Sequence, residues 1–259
     1  MEKKYIYSKI VENQRISKNL YTLKLKAPDI ARTIKVGQFI NIYFENDVKI
    51  FPRPFSISEV KKDLLFLRYK IIGSQTRKMS TWKKGYEIRI LGPLGNSFDI
   101  SENVKSHILV GGGIGVAPLF YLRDQLYQKG EKIHFFVGAT TQKEHYLTED
   151  DKSNLYLATD DGTLGFDGTV VALLKEHYPE LSKPAVIYCC GPEPMLEALK
   201  SFGHRHEIEV QVSMEKIMAC GNGLCQGCAI RTEDHMDGDY LLVCKDGPIF
   251  NARDIIIDD

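Results

Sequence analysis

Four cysteines near the C-terminus limit what this chain can be more than any other feature. The segment Cys220-Gly-Asn-Gly-Leu-Cys225-Gln-Gly-Cys228 is followed, after fifteen residues, by Cys244. This C-x4-C-x2-C…C spacing is the plant-type pattern in which four thiolates hold a [2Fe–2S] cluster. The glycines at 221, 223 and 227 would let the backbone wrap closely and turn N–H groups toward the sulfurs. A four-cysteine zinc site is the alternative, although such sites usually combine two C-x2-C pairs.

Composition excludes several classes of function. Lys+Arg and Asp+Glu both number 34, so the chain has no basic field for nucleic acid or acidic lipid. No apolar run approaches the roughly 20 residues of a membrane helix, and the N-terminus lacks the pattern of a signal peptide. The two cysteines outside the motif, Cys189 and Cys190, are adjacent. This usage fits a reducing cytoplasm better than a disulfide framework.

Residues 1–100 carry the signals of an antiparallel β-barrel. Tyr21-Thr-Leu-Lys-Leu-Lys and Phe39-Ile-Asn-Ile-Tyr-Phe alternate apolar with polar residues, and turn signals such as Gly92-Pro93 separate the runs. Within this third, the stretch Arg53-Pro54-Phe55-Ser56 suits a flavin nucleotide. The guanidinium can bind a pyrophosphate, the phenyl ring can pack on a ring system, and the hydroxyl can bond a ring heteroatom. A structural turn at the start of a strand explains the same residues.

Residues 101–212 alternate strand and helix patterns, which predicts a parallel sheet with helices on both faces. Leu119 to Lys129 is predicted to be an amphipathic helix. The segment from His107 to Phe120 is predicted to be a strand, a glycine turn and a helix with Pro118 near its first turn. A pyrophosphate meets a helix N-terminus in that geometry. The candidate nucleotide-binding residues of the turn are Gly111, Gly112, Gly113, Ile114 and Gly115. A tight turn without a ligand is the alternative.

Two further loops follow predicted strands, at the edge of the sheet where a ligand should lie. Thr159-Asp160-Asp161-Gly162 could accept a hydrogen bond from a ribose 2′-OH and repel a 2′-phosphate, which favours NADH over NADPH. Asp and Gly are also ordinary turn residues. Cys190-Gly191-Pro192 ends another strand, where the cysteines could simply be small buried residues.

The motifs together resemble a known superfamily. Arg53-Pro-Phe-Ser, Tyr69-Lys-Ile and Gly92-Pro-Leu-Gly-Asn are similar to motifs of the ferredoxin–NADP⁺ reductases. With the cysteine segment and its Met214-Glu lead-in, the whole chain resembles the electron-transfer subunits of NADH-linked (class 1B) dihydroorotate dehydrogenases. The resemblance implies a multi-domain chain. Its expected parts are an FAD-binding barrel over 1–100, an NAD-binding α/β domain over 101–212 and a small [2Fe–2S] lobe over 213–259.

The resemblance also implies roles for residues. The expected FAD-binding residues are Arg53, Pro54, Phe55, Ser56, Arg68, Tyr69, Lys70, Gln75 and Thr76. Many relatives carry Gly-x-Gly-Thr where this chain has Gly73-Ser-Gln75-Thr76, so a flexible glycine is replaced. The Gly-Gly-x-Gly-x-Ala-Pro turn is expected to bind NAD(H), and the Cys-Gly-Pro stretch to border the nicotinamide.

These expectations give one hypothesis and two alternatives. Hydride passes between nicotinamide and FAD, and single electrons leave through the cluster, because a flavin handles both kinds of transfer. The implied partner is an FMN-containing catalytic subunit that oxidises dihydroorotate to orotate in pyrimidine biosynthesis, in a heterotetramer of two plus two. One alternative is a flavin/iron–sulfur NAD(P)H:ferredoxin or sulfide-type reductase. The other is a binding or regulatory protein with zinc at the four cysteines.

Overall fold

The computed structural model describes residues 2–45, 50–233 and 240–257, and they form two seven-stranded sheets. The first sheet is antiparallel and curled, with the strand order β4-β3-β7-β1-β2-β6-β5. Its strands are Lys4–Arg15 (β1), Leu20–Lys26 (β2), Phe39–Tyr43 (β3), Arg53–Ser56 (β4), Glu59–Lys61 (β5), Leu64–Lys70 (β6) and Glu87–Leu94 (β7). Two short helices, Pro28–Ala31 (α1) and Ser74–Met79 (α2), connect them.

The alternation of apolar and polar residues along the strands explains which face of this sheet is buried. Successive side chains of a strand point to opposite faces. Leu23 and Leu25 of β2, and Leu65 and Leu67 of β6, are completely buried in one apolar cluster. The predicted barrel is therefore present as a curled antiparallel half-barrel, wrapped round an apolar core that continues into the second sheet.

The second sheet has the order β11-β10-β9-β8-β12-β13-β16. All neighbours are parallel except the pair β13 and β16, which is antiparallel. Its strands are Ser106–Gly112 (β8), Ile133–Ala139 (β9), Asn154–Thr159 (β10), Phe166–Asp167 (β11), Ala185–Cys190 (β12), Glu209–Ser213 (β13) and Ile249–Asn251 (β16). Its helices are Ala117–Gln128 (α3), Val170–His177 (α4) and Glu193–Arg205 (α5). The predicted parallel sheet is confirmed. β13, whose residues Glu209-Val-Gln-Val-Ser alternate, was not predicted.

Helix α3 differs from its predicted amphipathic character. It buries residues on nearly every side, including Arg123 and Asp124. The reason is its position, because α3 packs against β8 of the parallel sheet and against β5 and β6 of the curled sheet. Its exposed residues lie in the last turn, at Tyr127 and Gln128. The buried polar side chains pair within the protein: Arg123 donates to Asp124 Oδ1 at 2.7 Å and to Asp150 Oδ1 at 2.8 Å.

The C-terminal cysteine segment adds the hairpin of Ala229–Arg231 (β14) and Tyr240–Leu242 (β15). It then returns to the second sheet as the edge strand β16. The acidic stretch between the hairpin strands, residues 234–239, lies outside the described residues. Among the helices of residues 2–45, 50–233 and 240–257, none is long and apolar enough to cross a membrane.

Candidate functional site

A cavity of about 760 Å³ opens at the carboxyl edge of the parallel sheet. The carboxyl ends of β8, β9, β10 and β12 meet there, which is where open α/β sheets bind ligands. Seven of the predicted nucleotide-binding residues line this cavity: Gly112, Gly113, Ile114, Gly115, Asp160, Gly191 and Pro192. Three loops that are far apart in the sequence therefore share one wall.

Two of these loops touch each other, and glycine is required where they meet. A Cβ on Gly115 would lie 2.6 Å from the carbonyl oxygen of Cys190 and 2.6 Å from Cα of Gly191. A Cβ on Gly112 would lie 2.8 Å from Pro192. The turn after β8 and the turn after β12 are thus packed backbone to backbone, and larger residues would force them apart.

Four predicted nucleotide-binding residues do not line the cavity: Gly111, Asp161, Gly162 and Cys190. Gly111 lies behind the turn, since its Cβ position is 2.9 Å from Cα of Val116. Asp161 faces its own loop, where its Oδ1 accepts from Thr163 Oγ1 at 2.6 Å. These hydrogen bonds lower the pKa of the Asp161 carboxyl. Of the two adjacent aspartates, only Asp160 borders the cavity.

Several charged residues of the cavity wall were missed by sequence reasoning: Glu144, Lys175 and Glu215. Glu215 follows β13 and faces the opening, while protein atoms surround most of its carboxylate. Burial raises the pKa of Glu215. Burial also raises the pKa of the Cys190 thiol, and the negative charge of Glu215 adds to that effect. Cys190 is accordingly a neutral, buried thiol behind the cavity wall.

Two of the predicted flavin residues of β4, Arg53 and Phe55, contact other predicted flavin residues. Arg53 Nε donates to Oε1 of Gln75 at 2.5 Å, and Gln75 is buried at the start of α2. The ring of Phe55 packs edge-on against Tyr69, with 6.4 Å between centroids. The Tyr69 hydroxyl donates to Asn13 Oδ1 at 3.1 Å, and burial raises the pKa of this phenol. Pro54 and Ser56 lie on the same strand, half-buried.

Arg68 and Lys70 point away from Tyr69, because residues that alternate along β6 face opposite sides. The Arg68 guanidinium lies 3.5 Å from the ring centroid of Phe120 on α3, in a cation–π contact between the two sheets. Burial and the neighbouring Arg123 lower the pKa of Arg68 to about 10. Lys70 reaches the nucleotide cavity and pairs with Glu144. The predicted flavin set is therefore divided between the inside of the curled sheet and the junction of the two sheets.

Thr76 lies in the first turn of α2, and its hydroxyl closes the turn before the helix. Thr76 Oγ1 accepts from the N–H groups of Ile72 and Gly73, at 3.0 and 3.1 Å. Gln75 stands where the family resemblance implied a glycine. Its side chain accepts the bond from Arg53, so the substitution adds a contact to the β4 motif.

The four motif cysteines are brought together in two pairs. Cys228 and Cys244 are buried, with 3.2 Å between their sulfurs. Cys220 and Cys225 lie nearer the surface, and the Cys225 N–H donates to Cys220 Sγ at 3.3 Å. All six cysteines of the chain are free thiols. Two thiols for each of two irons is the donor set that a [2Fe–2S] cluster needs, so the residues fit that group.

Backbone N–H groups of the motif donate to the cysteine sulfurs, which agrees with the prediction made from its glycines. Gly223, with φ of 93°, donates to Cys244 Sγ at 3.1 Å. Burial raises the pKa of Cys220, but the amides of Asn222, Cys225 and Leu224 and the Cys225 side chain lower it to about 6. Between Cys225 and Cys228 the residue with positive φ is Gln226, at 58°, and not Gly227.

The buried pair has the opposite electrostatics. Burial and the Cys228 sulfur raise the pKa of Cys244 to about 12.

Within the described ranges, no three His, Cys, Asp or Glu side chains are grouped to hold a single metal ion.

Comparison with known proteins places this geometry in a family. Residues 215–256 match the family model described as the iron–sulfur cluster binding domain of dihydroorotate dehydrogenase B. Residues 109–201 match the oxidoreductase NAD-binding domain. The relative from Bacillus velezensis, named dihydroorotate dehydrogenase B (NAD(+)), electron transfer subunit, is 36% identical over 256 residues, which are 96% of this chain and 97% of the relative. The relative of the same name from Fusobacterium nucleatum is 35% identical, with the same coverage.

The chain belongs to the family of dihydroorotate dehydrogenase B electron transfer subunits. The predicted family is thereby confirmed. So is the choice of an iron–sulfur cluster over zinc, because the matched model covers all four motif cysteines.

Solved structures agree with the fold of this family. The structure titled "Insights into flavin-based electron bifurcation via the NADH-dependent reduced ferredoxin-NADP oxidoreductase structure" has a TM-score of 0.84 and 27% identity. It covers 96% of this chain and 89% of its own. Phthalate dioxygenase reductase has a TM-score of 0.67 at 16% identity and covers 93% of this chain and 94% of its own. The second likeness concerns the fold alone.

Proposed function

We propose that this chain moves electrons between NADH and the FMN-containing catalytic subunit of a dihydroorotate dehydrogenase, using FAD and a [2Fe–2S] cluster. One observation carries the proposal. The strand with the flavin motif, β4, pairs with β3, and the cysteine segment lies against β3. The nucleotide cavity lies at the sheet junction, where Lys70 of the curled sheet meets Gly112 and Gly113 of the parallel sheet. The three sites are therefore adjacent and follow one another in the order that the reaction requires.

When bound, FAD converts the two-electron hydride chemistry of NADH into the one-electron chemistry of the cluster. The chain itself binds and orients these groups. The turn after β8 presents backbone N–H groups at the start of α3, where a pyrophosphate is stabilised. Arg53, held by Gln75, supplies a guanidinium for the flavin pyrophosphate, and Phe55 supplies an aromatic face. Buried Cys190 and the closely packed glycines make this part of the cavity wall solid.

The proposed division of the chain is residues 1–100 for FAD, 101–212 for NAD(H) and 213–259 for the cluster. The proposed nucleotide is NADH, because Asp160 borders the cavity after β10 and would repel a 2′-phosphate. We place the protein in the cytoplasm, on the ground that its cysteines serve a cluster and form no disulfide.

The proposed docking surface for the catalytic subunit surrounds the cluster motif. Cys225 is exposed, and beside it in the sequence Leu224 is 80% exposed. Ile217, three residues before Cys220, is 88% exposed. Large apolar side chains grouped at the surface mark interaction sites. A partner seated on this surface would lie next to the cluster, which suits electron transfer. We propose a heterotetramer of two plus two subunits.

A second candidate function keeps the same cofactors with ferredoxin as the electron partner. It is favoured by the likeness to the NADH-dependent reduced ferredoxin-NADP oxidoreductase structure over 96% of this chain. The two candidates share the cavity, the flavin strand and the cluster, and they differ only in what docks on Leu224 and Ile217.

Anaerobic absorption spectroscopy with iron analysis tests the proposal. The purified chain should show flavin bands and an iron–sulfur shoulder, and NADH should bleach both. Mixing with an FMN-containing, dihydroorotate-oxidising subunit should then give dihydroorotate-dependent reduction of NAD⁺, with orotate formed in equal amount. Bleaching by NADH with turnover only on ferredoxin would favour the second candidate. A colourless protein that contains zinc would overturn both.

A further inference from the structure

We propose that Asn41 is a positioning residue, which holds the [2Fe–2S] segment on the strand beside the flavin motif and so sets the spacing between the two carriers. The inference rests on the proposed function, because it assumes FAD at β4 and a cluster at the four cysteines. It concerns a residue that no sequence motif singles out.

One face of β3 supports the cysteine segment. Ile40 and Ile42 point into the core of the curled sheet, so Phe39, Asn41 and Tyr43 point the other way. Phe39 belongs to the same apolar cluster as Cys228 and Cys244. Tyr43 packs edge-on against Tyr5 of β1, with 5.3 Å between ring centroids. The outward face of β3, which carries Asn41, therefore lies toward the cysteine segment.

Asn41 makes the direct link. It is completely buried, and its Nδ2 donates to the carbonyl oxygen of Cys220 at 3.1 Å, across 179 positions of sequence. A Cβ on Gly221 would lie 2.4 Å from the same Nδ2, so the peptide after the first cysteine rests on the amide. Gly221 has φ of 64°, which accommodates this close approach.

The strand that carries Asn41 also pairs with the flavin strand, β4. Asn41 is the register partner of Pro54, and Phe39 is the partner of Ser56. The ladder that fixes β4 thus also fixes the residue that holds Cys220. The backbone hydrogen bonds of a paired strand are rigid compared with a loop, so any movement of β4 relative to the cluster segment must break the Asn41 bond.

Stability alone does not account for this asparagine. Asn41 Oδ1 is buried and has no hydrogen-bond partner among the described residues, which is a cost that an apolar residue of the same size would avoid. Retaining an amide there makes sense if its N–H group is needed at the Cys220 carbonyl. Groups that orient metal ligands from outside the coordination shell tune the metal site in this way.

The same segment is held a second time, beyond the last cysteine. Asn96, which follows β7, donates through Nδ2 to the carbonyls of Asp246 and Ile249 at 2.9 and 2.7 Å. Since β7 is the other neighbour of β3, both ends of the cysteine segment are attached to adjoining strands of the curled sheet. Asn41 differs from Asn96 in contacting a ligand residue itself.

The test substitutes Asn41→Leu, which keeps the volume and removes the donor. Gln211→Leu is the matched control, because Gln211 is also a buried amide that holds a backbone segment, through Asp99 N and O at 2.9 and 2.8 Å, and its side-chain partners Asp99 and Glu209 are outside the cysteine segment. Gly221→Ala is a second variant, which leaves Asn41 in place but pushes on it from the opposite side. The measurements are the EPR g values of the reduced holoprotein, iron release to a chelator, and stopped-flow reduction by NADH.

Asn41→Leu and Gly221→Ala should both shift the EPR g values, speed iron release by about tenfold and slow cluster reduction, while the NADH-dependent bleaching of the flavin keeps its rate. Gln211→Leu should lower only the melting temperature. Unchanged EPR and iron retention in Asn41→Leu would overturn the inference, as would equal changes in Gln211→Leu. If Asn41→Leu does not fold, Asn41→Ser, whose shorter side chain lacks the amide donor at the Cys220 carbonyl, decides by the same criteria. Absence of a [2Fe–2S] signal in the unsubstituted holoprotein would instead overturn the proposed function.

Discussion

Lys70 and Glu144 form an ion pair that joins the two sheets at the nucleotide cavity, with 2.5 Å between Nζ and Oε1. Lys70 ends β6 of the curled sheet, and Glu144 lies in the loop after β9 of the parallel sheet. Both side chains line the cavity, and both are about one-third exposed. Because the pair is partly solvated, its contribution to stability is small, and its charges matter more for an anionic ligand.

The two halves of this pair should affect NADH binding in opposite directions. Lys70→Met removes a positive charge from the cavity and should raise the Kd for NADH about two- to fivefold. Glu144→Gln removes a negative charge, frees the ammonium and should lower the Kd by a similar factor. Titration by fluorescence quenching measures both. Glu87→Gln, which breaks an exposed pair with Lys9 far from the cavity, is the control. Weaker binding in both cavity variants would mean that the pair acts only by holding the sheets together.

Cys225→Ser should remove the cluster and leave NADH able to reduce the flavin. Cys225 is the most exposed of the four motif thiols, so the fold tolerates a hydroxyl there, but serine is a poor ligand for iron. Iron content, EPR and flavin bleaching report the result. Cys189→Ser is the control: Cys189 is buried outside the motif, and its thiol lies 3.7 Å from the carbonyl of Gln211, which a hydroxyl can also reach. Full iron content in Cys225→Ser would show that another residue is the ligand.

The NAD-binding region should lose stability in acid. Burial lowers the pKa of His107, His134 and His145, so all three are neutral in the folded protein. The unfolded chain protonates its histidines near pH 6.5, and below that pH it binds protons that the folded state excludes. The free energy of unfolding should therefore fall as pH drops below about 6.5, by at most about 1.4 kcal/mol per pH unit for each histidine.

Melting temperatures between pH 5 and 8 test this, with His134→Gln expected to flatten the acid slope. Among the described residues, His134 has one side-chain hydrogen bond, with the Tyr156 hydroxyl at 3.2 Å, which glutamine can replace. His204→Gln, on an exposed position of α5, should leave the slope as it is. A slope that is the same in all three proteins would assign the acid sensitivity to carboxylates instead.

The sequence predicted those features whose residues lie close together along the chain. The spacing of Cys220, Cys225 and Cys228, and the alternation of strands and helices, lie within short windows, and both predictions are confirmed by the family and the fold. Asn41 and Glu215 were missed, because each acquires its place from segments distant in sequence. The same holds for β6. The alternation of side chains along a strand predicts that Tyr69 faces away from Arg68 and Lys70. The partners of Arg68 and Lys70, which are Phe120 of α3 and Glu144, depend on tertiary packing that the local sequence does not show.

Asp160→Ser should relax the choice of nucleotide, whereas Asp161→Ser should not. The residues are adjacent and both exposed, but only Asp160 borders the cavity, while Asp161 bonds to Thr163 within its own loop. A carboxylate beside the ribose repels a 2′-phosphate, and unfavourable like-charge contacts cost several kcal/mol. We expect Asp160→Ser to raise the ratio of kcat/KM for NADPH over NADH by about tenfold or more, measured as flavin reduction. Equal ratios in both variants would show that the loop after β10 does not contact the ribose, and would return the two aspartates to the role of ordinary turn residues.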